Sequence, residues 1–445
     1  MSDKKQYKKK TIGEHALTPE TLMLSYGYNP AFSEGSVKPP VFLTSTFAYQ
    51  TPEDGEEFFH IMAGRKPAPD DSVGGLIYSR FNHPNVEIIE DRLAVYEGAE
   101  RAIMFASGMG AISATLLAYL RPGDVIAQSV PLYGGTETLI RKFLPEFNIG
   151  TADFKDGLDE EAMMSSLRAA SKKGRLAMIF IETPSNPMNS MVDYEALIRC
   201  VDTIEKETGH RPLTVCDNTL LGPVFQTAVP HGIDIALYSV TKYIGGHSDL
   251  VAGAVCGSRE TLRPIRSLRG AMGINLDPHT CWMISRSLET LSIRMERAAD
   301  SGRKIAKWLA ANPYIKTDVY HPELIEDPKY KEVYERQCTG PGSTFSFVID
   351  AGKDEAFKLI NALSIFKSAV SLGGSESLTC HPASTTHSGV PVEIRESVGL
   401  TDGLIRLSIG LENPDDLIAD LDNAFKETFG GKNAANDAER QQKHG

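Results

Sequence analysis

The sequence predicts an α/β protein: a large domain on a mainly parallel sheet, followed by a smaller α+β C-terminal domain. Short apolar runs at residues 125–127, 176–181, 214–216 and 233–237 are partly β-branched and bounded by polar or glycine punctuation, the pattern of buried strands. Groups able to do chemistry stand just past those runs. Such groups at successive strand ends, with helical segments between them, imply parallel strands joined by right-handed crossovers. Past Gly257 the pattern changes to a long helical stretch and then to mixed short strands and helices.

Each element follows from local composition. Residues 11–84 are rich in Pro and Gly, with weak periodicity and short extended pieces such as Val41-Phe42-Leu43, so they read as an arm that packs on something else. Residues 85–96 read as a helix with Ile89, Leu93 and Tyr96 on one face and Gly98 to stop it. Ala106-Ser107-Gly108-Met109-Gly110 turns into the apolar run 111–120, and Arg121-Pro122-Gly123-Asp124 is a turn. Residues 285–311 read largely as one long helix that bridges into the second domain, marked by Leu288, Leu291, Met295, Ile305 and Leu309. A strand pattern begins in 340–348, helices cover 356–366 and 415–425, and the polar stretch from 430 onward reads as disordered.

Composition bounds the function. A chain of 445 residues holds roughly two to three domains at ~150 residues each, and 41% apolar residues suffice for a sizeable core. The net charge of -12 argues against nucleic acid as the partner. Six cysteines are widely scattered, with no Cys-X-X-Cys pair and no clustered histidines to suggest a metal site, and they read as the reduced, mostly buried thiols of an intracellular protein. Lys4, Lys5, Lys8, Lys9 and Lys10 give a basic start without the apolar stretch of a secretory signal, and no segment approaches the ~20 apolar residues of a membrane span. The expectation is a cytoplasmic protein with no metal, membrane or nucleic-acid partner.

The organising stretch is Leu237-Tyr238-Ser239-Val240-Thr241-Lys242-Tyr243-Ile244-Gly245-Gly246-His247-Ser248-Asp249. Lys242 falls at the rim of the sheet, where α/β folds bind ligands, and its amine can form a Schiff base with a carbonyl cofactor. Ser239 and Thr241 offer two hydroxyls to one phosphate, and Gly245-Gly246 lets the backbone turn beneath a flat ring. Free N–H groups at the helix start after Ser107 suit a phosphate, although Gly-X-Gly alone also serves close packing. Asp217, after another strand, can hold a pyridine nitrogen protonated and so make the ring an electron sink. Tyr133 can stack on such a ring and exchange a proton, or be merely structural.

Together these stretches resemble the pyridoxal-phosphate enzymes of Cys/Met metabolism, the family of cystathionine γ-synthase, cystathionine γ-lyase, methionine γ-lyase and the O-acylhomoserine sulfhydrylases. The resemblance covers nearly the whole chain apart from its basic start, residues 58–75 and the polar tail. It implies pyridoxal 5'-phosphate as cofactor, the aspartate-aminotransferase-like architecture of PLP fold type I, and a homotetramer of dimers that share active sites. It divides the chain into an arm (1–84) that contributes to a neighbouring subunit, a large PLP-binding domain (85–300), a small C-terminal domain (301–430) and a disordered tail (431–445).

The same resemblance implies roles. Lys242 carries the cofactor and acts as base, Asp217 meets the pyridine nitrogen, and Tyr133 stacks on the ring, touches the substrate and acts as acid. Ser107, Gly108, Met109, Ser239 and Thr241 hold the phosphate, and Asn186 of Glu182-Thr183-Pro184-Ser185-Asn186-Pro187 lies near the ring oxygen with Glu182 in support. Tyr78 and Arg80 cross to the neighbour's phosphate, where the guanidinium's fixed charge and planar donor fork suit the task. Arg406 clamps the substrate α-carboxylate, and Ser371 positions Lys242 or that carboxylate. His381 and His387 are structural.

Two stretches depart from the family pattern and reshape the entrance: Asn82-His83-Pro84 stands in place of the usual Gly-Asn-Pro, and residues 58–75 form a longer connection. Gly135 occupies a position that is commonly cysteine in methionine γ-lyases and often glycine in their relatives. Val370 precedes Ser371 where members that handle cystathionine tend to carry an acid, so it cannot pair with a distal ammonium. The expected reaction is therefore γ-elimination at a Cγ–S bond, methionine γ-lyase-like, giving 2-oxobutanoate, ammonia and a thiol. The alternatives are γ-replacement on an O-acylhomoserine, as in transsulfuration, and a PLP-binding regulator without catalysis.

Overall fold

The computed structural model describes residues 7–67, 75–315, 319–390 and 392–442, with 431–442 as backbone. Expectations for the first six residues, for 68–74 of the long connection and for 443–445 lie outside the described residues. The large domain is built on seven strands: β1 (Arg101–Phe105), β2 (Asp124–Ser129), β3 (Gly150–Phe154), β4 (Arg175–Glu182), β5 (Leu213–Asp217), β6 (Ile235–Tyr238) and β7 (Gly253–Gly257). Their spatial order is β1-β7-β6-β5-β4-β2-β3. Every neighbouring pair is parallel except those made by β7, which runs antiparallel to β6 and β1.

The strands bury both faces, as parallel strands under helices must. Along β4, Ile179 and Ile181 face a core shared with helices α1 (Pro84–Glu97), α3 (Glu160–Ser171) and α4 (Tyr194–Thr208), while Met178 and Phe180 face one shared with α2 (Gly108–Tyr119) and α5 (Arg259–Met272). Gly98, left-handed at φ 72°, closes α1.

β1, β3 and β7 do not stand out as apolar runs in the sequence. β7 is Gly-Ala-Val-Cys-Gly, small residues of which Val255 alone is a strong strand former, yet it is buried throughout. Its first residue passes so close to the start of α2 that a Cβ on Gly253 would lie 2.2 Å from the Ser107 carbonyl oxygen. Gly253→Ala should therefore lower stability by about 1–3 kcal/mol, read as a lower denaturant midpoint of the cofactor-free protein. An unchanged midpoint would mean that the backbone yields there.

The long helix expected over 285–311 is two helices, α6 (Pro278–Leu288) and α7 (Leu291–Ala310). The break has a side-chain cause. Arg294 donates to the Ser287 carbonyl at 2.9 Å, the acceptor that Leu291 N would use in a continuous helix, and is held there by a second bond to Thr290 Oγ1 at 3.2 Å. α7 then joins two cores: Leu291, Met295 and Ala299 pack in the large domain, Ile305, Ala306 and Leu309 in the small one.

The small domain holds a five-stranded sheet of β8 (Val319–Tyr320), β9 (Thr344–Val348), β10 (Lys367–Ser368), β11 (Leu378–Cys380) and β12 (Leu404–Ser408), in the order β8-β9-β12-β11-β10. Phe345, Phe347, Ile405 and Leu407 pack there against α9 (Lys353–Ala362) and α10 (Pro414–Gln442). The backbone of α10 continues into the stretch expected as a disordered tail. α8 (Pro328–Gln337) lies within the residues expected to form the small domain, but its Tyr330 and Val333 belong to the large core.

The N-terminal arm divides likewise. Leu22, Met23 and Tyr26 join the large core, and the buried Arg92 side chain donates to the Tyr26 carbonyl at 3.1 Å and to Ser285 Oγ at 2.9 Å. Beyond them Phe32, Val37 and Leu43 are exposed.

Candidate active site

The site assembles where the C-terminal ends of β4, β5 and β6 meet β12 of the small domain. Asp217 closes β5 and Glu182 closes β4, and the two are register partners. Lys242 follows β6 by a short turn, and Arg406 lies in the middle of β12 opposite Ser346 and Cys380.

Lys242 Nζ donates to Ser371 Oγ at 2.8 Å. Burial, and secondarily the nearby Arg406 guanidinium, push its amine down to about 8 against the opposing pull of Asp217. Ser371 holds an unfavourable backbone at φ 97°, which persists because its surroundings fix it. Its carbonyl accepts from Arg406 Nη2 at 2.6 Å, and Gly373 N donates to Ser408 Oγ at 3.0 Å.

Arg406 is 2% exposed and its Nη1 donates to Asn186 Oδ1 at 3.1 Å. Its Nε is buried with no partner among the described residues, a charged donor left over for a ligand. Asp217 Oδ1 accepts from Thr219 N at 3.1 Å and Thr219 Oγ1 at 2.5 Å. Burial raises Asp217 to about 6, and the Thr219 bonds and Lys242 oppose that rise. Glu182 accepts from Tyr133 N at 2.7 Å and Asn186 N at 2.9 Å, and burial beside the Asp217 charge raises it to about 8.

On the other side, Ser107 caps α2 by accepting from Gly110 N at 2.9 Å. A Cβ on Gly108 would lie 3.0 Å from Ser239 Oγ, so the helix start and the Ser239 hydroxyl are adjacent. Thr241 differs from expectation: its hydroxyl donates to the Ala252 carbonyl at 3.1 Å and accepts from Ala252 N at 3.0 Å, which leaves it no donor for a phosphate. Tyr133 is 41% exposed, and a Cβ on Gly135 would lie 2.6 Å from its ring and 3.0 Å from Met109 Sδ. Val370 is exposed beside Ser371.

Tyr78 and Arg80 make none of these contacts. Arg80 donates to the Gly270 carbonyl and lies 4.3 Å from the centre of the Phe81 ring, while Tyr78 is half exposed. His381 bonds Ser384 Oγ at 2.9 Å and the Asp402 carbonyl at 2.7 Å, and burial and Arg406 lower His387 to about 4. Thr219 had no expected role, yet its hydroxyl also accepts from Ser239 N at 2.8 Å and so ties the end of β5 to the turn after β6. The signal for it was a hydroxyl residue two places after an aspartate, the spacing of an Asx turn.

The donors fit a flat, anionic, carbonyl-bearing ring: a partly deprotonated amine, a buried carboxylate, a capped helix start against a serine hydroxyl, and an unpartnered guanidinium donor. Fold and site thus define a pyridoxal-phosphate enzyme of fold type I. The chain belongs to the Cys/Met metabolism PLP-dependent enzymes, whose family model matches residues 20–426. It is 37% identical to the L-methionine gamma-lyase of Pseudomonas deceptionensis over 409 residues, 91% of this chain and 96% of that protein. It is 34% identical to the cystathionine gamma-lyase of Sus scrofa over 424 residues, 94% of this chain and 97% of that one. A crystal structure of cystathionine gamma synthase from Xanthomonas oryzae pv. oryzae with cystathionine superposes with a TM-score of 0.80 at 31% identity, covering 93% of this chain and 99% of the other. Among the described residues no helix is long and apolar enough to cross a membrane.

Proposed function

We propose that the enzyme cleaves the Cγ–S bond of an uncharged sulfur amino acid such as methionine, with water yielding 2-oxobutanoate, ammonia and a thiol. The observation that carries this reading is Val370, an exposed apolar residue next to the strained Ser371 at the substrate end of the site. A cationic substrate tail would meet no carboxylate from it, whereas a thioether would lose little on leaving water. Identities of 36–37% to methionine gamma-lyases of two Pseudomonas species support the same choice.

In this reading Lys242 holds the cofactor through its amine, Asp217 meets the ring nitrogen, and Asn186 meets the ring oxygen. The start of α2 at Ser107, Gly108 and Met109 holds the phosphate with Ser239, and Tyr133 covers the ring. When bound, the cofactor supplies the electron sink for a carbanion at Cα. Arg406 binds the α-carboxylate through its free Nε and an Nη, which orients the Cα–H bond towards Lys242. The neutral amine of Lys242 takes that proton, and Tyr133 delivers a proton to the departing sulfur.

γ-Replacement on an O-acylhomoserine is the second reading, and Gly135 favours it. A cysteine at that position, which the resemblance associates with methionine γ-lyases, would press on the Tyr133 ring and Met109. The deciding experiment compares L-methionine alone with O-acetyl- and O-succinylhomoserine plus cysteine or sulfide. Methanethiol and 2-oxobutanoate from methionine, formed far faster than any replacement product, support the lyase. Efficient cystathionine or homocysteine formation with little methionine cleavage overturns it.

Subunits are proposed to pair so that Tyr78 and Arg80 reach the neighbouring site, in a tetramer built from such dimers. In support, neither residue contacts its own Lys242 cluster, and the arm leaves Phe32, Val37 and Leu43 exposed. A cytoplasmic location suits six cysteines that are all free and buried.

The lowered Lys242 value yields a signed prediction. Only the neutral amine attacks a carbonyl, so recapture of the cofactor by the cofactor-free protein should speed up as pH rises through about 8. Arg406 disfavours the lysine's charge. Arg406→Leu should therefore move that limb to higher pH, towards the free lysine value of ~10.4. Absorbance-detected recombination rates across pH provide the check, and a limb that stays in place would remove Arg406 as a cause.

A further inference from the structure

We propose that Glu182 is a positioning residue that sets two arms of the active site together: the backbone carrying Tyr133 and the backbone carrying Asn186. The proposal rests on the reading above for the roles of Tyr133 and Arg406.

Glu182 is the last residue of β4 and is 7% exposed. One carboxylate oxygen accepts from Tyr133 N at 2.7 Å, the other from Asn186 N at 2.9 Å, and its own N–H donates to Ser129 Oγ at 3.1 Å. Tyr133 needs such an anchor. The short helix it opens has no side-chain cap, and the tyrosine side chain is half exposed. On the other branch, Asn186 Oδ1 accepts from Arg406, whose second Nη bonds the carbonyl of Ser371, the residue that hydrogen-bonds Lys242. One carboxylate therefore connects the proton donor at one side of the site to the carboxylate clamp and the base at the other.

The residue type is specific to this task. A carboxylate offers two acceptors and no donor, so it serves two amides at once; glutamine offers one oxygen and turns an NH2 towards the second amide. Burial, and then the Asp217 charge, disfavour the ionised form and raise Glu182, and the two amide donors oppose that rise only in part; both oxygens still accept from the two amides. An apolar residue at the end of β4 would avoid the conflict, so the carboxylate is better explained by positioning than by packing.

The test uses the holoenzyme with Glu182→Gln and Tyr133→Phe, alone and combined. Hydrogen exchange should speed up at the amides of Tyr133 and Asn186 in Glu182→Gln and stay unchanged in the neighbouring strands. Turnover should fall roughly tenfold in the parent background, since small misplacement of reacting groups is costly, and by a clearly smaller factor when Tyr133 is already Phe, the remaining loss running through Asn186 and Arg406. Unchanged exchange at both amides, or equal losses in the two backgrounds, would overturn the proposal. If Glu182→Gln does not fold, Ser129→Ala removes the acceptor for the Glu182 N–H and is judged by the same readouts. Exchange needs no substrate. A protein that fails to turn over methionine yet shows the two fast amides refutes the lyase reading alone, whereas slow amides with normal turnover refute only this inference.

Discussion

Replacing Lys242 by alanine is expected to cut turnover by roughly 10²–10⁴-fold while leaving the protein folded. In the proposed reading the loss combines two jobs of one amine, holding the cofactor and moving the Cα proton. The fold has little to lose. Among the described residues the amine's only side-chain hydrogen-bond partner is Ser371 Oγ, and burial already disfavours its charge. The cofactor-free variant should thus melt no lower than its parent, while the cofactor should wash out on gel filtration. Retention of a large part of the turnover would mean that Lys242 is not the base.

Asp217→Asn is expected to cost roughly 10²–10³-fold in turnover, because in the proposed reading it removes a buried charge that would face the ring nitrogen and keeps the shape. Its other effects run the opposite way. Asp217 favours the charged form of Lys242, so without it the amine should titrate below about 8 and cofactor recapture should begin at lower pH. Stability should change as well. Folded Asp217 keeps its proton up to about 6, whereas an unfolded aspartate releases it near ~3.9. Its contribution to folding is thus fully present below ~3.9 and lost as pH rises through about 6. The asparagine variant escapes that loss, so without cofactor it should melt higher than its parent at pH 7 and similarly at pH 4. A variant that is slower, quicker to bind cofactor at low pH and more stable separates an electronic role for Asp217 from a structural one.

The strands that carry chemistry were the legible ones. β4, β5 and β6 are continuous apolar runs ended by a charged or hydroxyl residue, and the motif residues follow at once, so both the parallel sheet and the Lys242–Asp217 pair could be read in advance. β7 could not, because Gly253 is there for close passage by Ser107 and Gly257 for close passage by the Asp234 carbonyl, and neither carries a strand signal of its own. The break between α6 and α7 was equally hidden, since it depends on where the Arg294 side chain goes rather than on any Pro or Gly in the segment. Thr241 shows what motif spacing leaves open: its hydroxyl stands at a spacing that suits a phosphate, and the local backbone of Ala252 also bonds it. Thr219 shows the converse, a residue without an expected role that joins two strand ends.

The helix α7 has a mechanical consequence. Its 20 residues form a rod roughly 30 Å long, clamped at one end in each core. A rod gripped in this way transmits rotation, so any tilt of β12 and Arg406 towards or away from Lys242 must turn about the rod or bend it, and the two lobes should lose their structure in one calorimetric peak. Arg406 and Lys242, the proposed clamp and base, are thereby linked in their spacing by a part of the chain that belongs to neither strand end.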